Sequence, residues 1–528
     1  MTHAGSAPRS RTPLRTLLRS GLVVAGVRGL DVGLSFLVSV LLANRFGASG
    51  QLDAFFLARR TTVGFADTIR KLVGQVVLPP VIAAMDRGQA PSVRLLPRRT
   101  AWFLAAIALA TLAGILVPGT LIGAFAPGFR GAQHDLAATM MAIMMPLLPL
   151  AVGASLLAAI LQARRRYLLS EGTNLVQRAV LVAVLAFLVP PLGILAGAWT
   201  MLASGVVGFV ILLAGAWTLI HPRGAAQATR EPAVATPGGG LAAALVLNLY
   251  FQATALMDFA FASTTTDGGV AALEYGSRLV SLVPGLVMSS LVTVLAPEMI
   301  RAVQQPDRAA AAEGIQRFQR IAFFAQLPVS VGMMLGSTIM VRALFGHGAF
   351  DDRAVAMAAA STAGYAAAQI FLAPQSAITS AIFADPARPA LRDLGVIAAF
   401  GITVRLAMLA VATPAWGAGG IAWAAAIATA VAAIMAQGVA ARRFHHFSLR
   451  MQVADLARSA LAAGVAAAAG RALLAVLPCP RYVPADLATL CALGATVLLT
   501  YAGAAMLLGV PELAAVREII AKKRRKRA

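Results

Sequence analysis

Ionisable side chains recur inside stretches that are otherwise apolar, and their spacing limits the chemistry open to them. In LEYGSRLVSLVPGL (273–286), Glu274 and Arg278 are four apart and share a helix face. The stretch 52–84 carries Asp53, Arg59, Arg60, Asp67, Arg70 and Lys71, with Arg60, Asp67 and Lys71 on one face at spacings of seven and four. Arg28 and Asp31 are three apart, Glu171 and Arg178 seven apart, and Asp258 and Arg405 stand in further apolar runs. An ionised group at a bilayer centre costs about 2.5–3.5 kcal/mol, whereas an apolar residue returns only about 0.3–0.6 kcal/mol. Such groups must face water or one another. A surplus of guanidinium groups suits a polyanion, because arginine grips phosphate oxygens through parallel charge-assisted hydrogen bonds. A diphosphate headgroup with its apolar tail left in lipid fits that chemistry. The plainer alternative, that the charges pair off to fix helix register, suits Arg70, Lys71, Glu171, Arg342 and Arg405. It suits Arg60 and Arg278 less well.

The elements that position these residues follow from composition. Of 528 residues 59% are hydrophobic and 12% charged, too few charges to cover a water-soluble protein of this size. Apolar runs long enough to cross a bilayer of roughly 30 Å fall near 21–43, 52–84, 101–126, 136–162, 170–190, 193–220, 241–265, 268–298, 321–345, 354–383, 394–412, 417–440, 456–477 and 487–509. The fold class expected is an all-α polytopic membrane protein of about fourteen helices. Lys and Arg crowd alternate connectors, such as RGQAPSVRLLPRR (87–99) and RRR (164–166). The intervening connectors FGASGQ (46–51), TTTDGG (264–269) and FGHGAFDD (345–352) are short and poor in them. By the positive-inside rule both termini face the cytoplasm.

Sliding the chain by 218 residues lays 52–82 on 270–300 without a gap, so that Arg60 meets Arg278 and Pro79 meets Pro297. Both residue types are scarce in membrane helices, so the register points to a parallel repeat. The organisation expected is an N-terminal lobe (1–220), a cytoplasmic linker (221–240), a C-terminal lobe (241–440), two added helices (441–509) and a basic tail (510–528). Arg60 and Arg278 then occupy equivalent places.

Other features exclude function classes. The net charge of +23 lies in connectors and at the ends, including KKRRKR (522–527), which reads as topology and headgroup attraction rather than nucleic-acid binding. Cys479 and Cys491 imply no disulfide framework, and no metal site is expected; His445 and His446 sit in a basic loop. The cluster TMMAIMMP (139–146) reads as packing. No Walker A motif appears, so direct use of ATP is not expected. The first apolar run carries Arg28 and Asp31 and is too long for a cleaved signal peptide.

Several segments resemble the MurJ/MviN family, which flips lipid II within the MOP superfamily. They are FGASGQLDAFFLA (46–58), FAPGF (125–129), ALMDFAFAS (255–263), LEYGSRL…VPGL…LAPEM (273–299), LFGHGAF (344–350) and SAIFADPARPALRD (380–393). The similarity runs in collinear order over about residues 14–440. The resemblance implies fourteen helices, with two six-helix lobes around a cationic cavity and two further helices forming a lipid-facing groove. It matches Asp53 to the family's acidic residue in DAFF, Arg278 to the arginine of its YADRL motif, Arg60 to a basic residue of the second helix and Asp258 to a common Asp. The chain departs from the family at VRGLDVG (27–33), where Arg28 and Asp31 are shifted by about a turn. It departs again at Ala66, Asp67 and Lys71, where relatives carry an arginine pair and a Glu.

The expected function is a flippase that moves a polyprenyl-diphosphate-linked saccharide, lipid II or a surface-glycan precursor such as an exopolysaccharide or O-antigen unit, across a bacterial cytoplasmic membrane. Substrate contacts are expected from Arg28, Arg59, Arg60, Arg70 and Arg278. Gate or charge partners are expected in Asp31, Asp53, Asp67, Asp258 and Glu274. No cofactor is expected, a coupling ion aside. Expected partners are the lipid-linked saccharide diphosphate, membrane lipids and cell-wall or polysaccharide synthesis enzymes. The rivals are an ion-coupled drug exporter, whose cavity should be acidic or aromatic; a glycan polymerase, which needs a sizeable outer loop; and a non-transporting scaffold.

Overall fold

A computed structural model describes residues 14–76, 99–164, 166–187, 193–220, 238–444, 446–477 and 482–513. Among them every regular element is an α-helix. They are α1 (Leu14–Phe46), α2 (Gly50–Val76), α3 (Arg99–Leu116), α4 (Pro118–Phe125), α5 (Gly131–Met144), α6 (Leu147–Ala163), α7 (Tyr167–Phe187) and α8 (Leu195–Ile220). The second half holds α9 (Gly238–Ala262), α10 (Gly269–Gln304), α11 (Arg308–Phe345), α12 (Asp352–Ala384), α13 (Ala390–Arg443), α14 (Leu449–Val476) and α15 (Val483–Leu507).

Ten spans in the described residues are long and apolar enough to cross a membrane, and two bent helix pairs raise the number to twelve. Two features bridge the gap to the expected fourteen. The 54 residues of α13 are broken at Gly417, where φ is 56° and ψ −138°, a conformation only glycine adopts readily. With Pro414 just before it, this break divides α13 into two crossings. The helix α2 is long enough but fails on composition because of its own six charges. One connector differs from expectation. Residues 308–320 extend α11 as helix, because Asp307 caps it by accepting from the amides of Ala309 and Ala310 at 2.9 and 3.1 Å. Most of the expected linker (221–237) and tail (514–528) lies outside the described residues.

The chain divides into two compact units that interleave along the sequence. The first comprises 1–41, 69–108 and 146–234. Its core is Leu157 and Leu161 of α6 against Leu212 and Ala216 of α8. Arg178 of α7 meets Asp31 of α1 at 3.5 Å.

The second unit comprises 42–68, 109–145 and 235–528. One core joins α10 to α13 through Met299, Ile315, Phe318, Ile378, Ile382 and Ile397. Another seats α14 and α15 on α11, with Ala462 and Ala466 packed beside Leu327, Leu493 and Val497. Small residues on α14 let its backbone approach closely, the usual way to pack helices where lipid removes the hydrophobic drive. Ion pairs pin this assembly at both ends: Arg342 to Asp486, and Arg320 to Glu512 at 3.1 Å. The two arginines are separated along α11 by about 33 Å at 1.5 Å per residue, close to the thickness of the hydrocarbon core. The methionines of 139–146 pack inside the fold: Met140, Met141 and Met144 are wholly buried.

Candidate functional site

The second unit gathers three charged centres, beginning where α2 and α10 start side by side. Asp53, in the first turn of α2, accepts from the amides of Gly268 and Ala271 at 2.7 Å each. Helix N-termini leave amides without partners and carry a partial positive charge, so a carboxylate is well placed there. The capping residue of α10, Gly268, has no side chain and adopts a φ of 88°, and Asp53 supplies the missing acceptor from another helix. The connectors around this cap interlock. A Cβ on Gly268 would lie 2.3 Å from the carbonyl oxygen of Ala48. The Ala349 amide donates to Asn44 O at 2.9 Å, and the Gly128 amide to Ser263 Oγ at 3.1 Å. Beside the cap, Tyr275 is fully buried among Phe56, Phe345 and Phe350, with ring centroids 4.9–5.6 Å apart.

One to two turns farther along α2 and α10 lies the arginine cluster. Glu274 accepts from Arg59 Nη1 at 3.0 Å and lies 3.8 Å from Arg278 Nη2. Arg60 donates to Gln252 Oε1 of α9 at 3.3 Å and remains within electrostatic reach of Glu274. Its buried Nε has no partner among the described residues. Three guanidinium groups therefore share one carboxylate, a local surplus of two positive charges. Such an arrangement is electrostatically unfavourable for cations and has the hydrogen-bond donors to grip an anion.

The third centre is neutral. Asp258 of α9 is 3% exposed and takes two hydrogen bonds from Arg405 of α13, one of 2.9 Å from Nε, and a third from the hydroxyl of Tyr365 at 2.9 Å. A buried carboxylate with its oxygens so occupied is a finished ion pair.

The structure thus brings Arg59, Arg60, Arg278 and Glu274 together. It takes up Asp53 on amides instead of an arginine and ties Asp258 to Arg405. Asp31 pairs with Arg178 in the first unit. Asp67 and Arg70 are exposed on later turns of α2, each with interactions of its own. The side chain of Arg28 lies outside the described set. Gln252 and Tyr365 escaped the sequence reading. The one available signal was a lone amide and a lone phenol in apolar runs. Among the described residues no group of three His, Cys, Asp or Glu could hold a metal.

The family model described as "Lipid II flippase MurJ" matches residues 42–491. The chain is 24% identical over 366 residues to the lipid II flippase MurJ of Burkholderia cenocepacia, covering 66% of this chain and 70% of the relative. It is 26% identical over 412 residues to the probable lipid II flippase MurJ of Rhizobium meliloti, covering 75% of each. Its fold is similar to a solved lipid II flippase MurJ in an inward closed conformation, with a TM-score of 0.71, 16% identity and coverage of 94% of this chain and 100% of that one. A multidrug-resistance MATE transporter of the MOP superfamily shares the fold more loosely, with a TM-score of 0.54, 14% identity and coverage of 79% of this chain and 95% of that one. The chain belongs to the MurJ family of lipid II flippases, which makes it a multi-pass membrane transporter and not an enzyme.

Proposed function

We propose that this chain carries lipid II from the inner to the outer leaflet of the cytoplasmic membrane by alternating access, with both termini in the cytoplasm. The observation that carries the reading is the cluster of Arg59, Arg60 and Arg278 around the single carboxylate of Glu274. Its surplus charge matches the two ionised phosphates of a sugar-linked polyprenyl diphosphate. The same surplus disfavours export of organic cations. In this topology the interlocked connectors around Asp53 close the outer side, and Asp53 acts as the latch. Repeated lobes 1–220 and 241–440 would supply the two moving bodies, driven by the membrane potential or a coupling ion. A saccharide other than lipid II is the second reading, favoured by the departure from the family pattern at Ala66, Asp67 and Lys71. Complementation of a strain depleted of its lipid II flippase tests both. The wild-type chain should restore growth, and Arg60→Ala and Arg278→Ala should not. Rescue by both variants overturns the site. No rescue by a well-expressed wild-type chain points to another saccharide.

A further inference from the structure

Beside the arginine cluster, helices α9, α10, α12 and α13 line a half-open cavity of about 200 Å³. We propose that it is a subsite for one hexose ring, the sugar bonded directly to the diphosphate; this rests on the flippase reading above. Pockets for drug-sized ligands measure roughly 300–1,000 Å³, so the sheltered space here matches a single ring, with the rest of a headgroup outside it.

Its lining selects the ligand class. Arg405 is the one ionisable side chain there apart from two tyrosines, and Asp258 already neutralises it. With no acceptor carboxylate and no unbalanced charge, the cavity suits neither a metal nor a second anion. Its polar groups are instead arranged for a neutral polyhydroxyl ring. Gln375 and Gln369 of α12 line the cavity, and no hydrogen bond within the described residues occupies either amide. A side-chain amide that faces a cavity offers two donors and a carbonyl to a ligand there. The hydroxyls of Thr254, Ser277, Ser281 and Thr429 donate to carbonyls of their own helices, which leaves their oxygens free to accept. Sugar hydroxyls both donate and accept, so they satisfy amides and hydroxyl oxygens together. Phe251, 47% exposed, offers an apolar face to the ring's C–H groups.

Connectivity fixes which sugar is meant. Ser277 and Ser281 flank Arg278 on α10, and Ser281 Oγ donates to the carbonyl of Arg278 at 2.7 Å. Residues three and four apart on a helix lie about 5–6 Å apart. A ring in the cavity therefore sits within one linkage of a phosphate held by Arg278.

The test is a binding titration of the full-length protein in lipid nanodiscs. One probe is undecaprenyl diphosphate; the other is the same lipid bearing a single N-acetylhexosamine. The wild type should bind the sugar-bearing lipid about tenfold more tightly, the worth of one or two well-made hydrogen bonds. Gln375→Leu, and separately Gln369→Leu, should abolish that preference while leaving affinity for the bare diphosphate in place, which also reports that the variants are folded. Equal wild-type affinity for both lipids overturns the subsite alone. So does a Gln375→Leu or Gln369→Leu variant that keeps the preference, or that weakens both lipids alike. If the wild type binds neither lipid, the flippase reading falls and takes the subsite with it.

Discussion

Asp53 of α2 and the amide of Ala271 of α10 are joined by a 2.7 Å hydrogen bond across 218 residues of sequence, the same offset that lays 52–82 on 270–300. Two positions that this offset aligns thus meet, a carboxylate on α2 and the N-terminus of α10. Loss of a capping side chain costs about 1 kcal/mol, or roughly fivefold in an opening equilibrium. Asp53→Ala should therefore speed hydrogen–deuterium exchange of the segment 266–275 by about that factor. Unchanged exchange there would show that the cap does not hold this end of α10 closed.

Glu274 competes with any anion for Arg59 and Arg278. Replacing it with Gln keeps the shape and removes the competing charge. Glu274→Gln should bind undecaprenyl diphosphate more tightly than the wild type. It should also melt at a lower temperature when empty, because three guanidinium groups then face one another without a counter-charge. Added diphosphate lipid should restore more of the melting temperature in the variant than in the wild type. Weaker binding by Glu274→Gln would mean that this carboxylate orients the arginines for substrate instead of occupying them.

The spans were legible because a bilayer imposes length and apolarity directly on sequence, and Arg60 and Arg278 were legible because charge is costly there. The partners of those charges were not. Glu274 has Arg278 four residues away, yet its shorter contact is to Arg59, 215 residues distant. Asp53 is identical in type to Asp258, but one meets helix amides and the other a guanidinium, a difference set wholly by what packs against each. Gln252 and Gln375 were overlooked because a neutral amide in an apolar helix costs too little to stand out. The start of α11 was readable in principle: Asp307 precedes a run of good helix formers, but hydropathy alone begins that span at 321.

Arg405 and Asp258 form a buried pair whose value depends on both members. Removing one partner of such a pair typically costs about 3–5 kcal/mol, whereas replacing both with apolar groups is often neutral. Asp258→Ala should lower the thermal midpoint in detergent sharply. The double variant Asp258→Leu with Arg405→Met should recover most of the loss, a coupling that a double-mutant cycle measures directly. Additive losses in the double variant would show that the two residues act separately.

Asp385 ties three helix ends at one edge of the second unit. Its carboxylate accepts from Arg443 at 2.9 Å and from Arg308 at 3.1 Å, with the Ala387 amide also at 3.1 Å, and Arg443 makes a further pair with Asp393. Burial by itself would raise the pKa of this carboxyl, because it disfavours the charged form. The Ala387 amide and the two guanidinium groups outweigh it and hold the group below the usual carboxylate range. A carboxyl whose pKa is lower in the folded protein than in the unfolded chain stabilises the fold fully above the unfolded value, about 3.9, and loses that contribution as pH falls through the folded value. The thermal midpoint should therefore be insensitive to this group between pH 7 and 5 and decline below about pH 4. Asp385→Asn should already be destabilised at pH 7 and show a shallower decline in acid, because its contribution is absent throughout. Parallel acid profiles for the two proteins would place the sensitive carboxyl elsewhere.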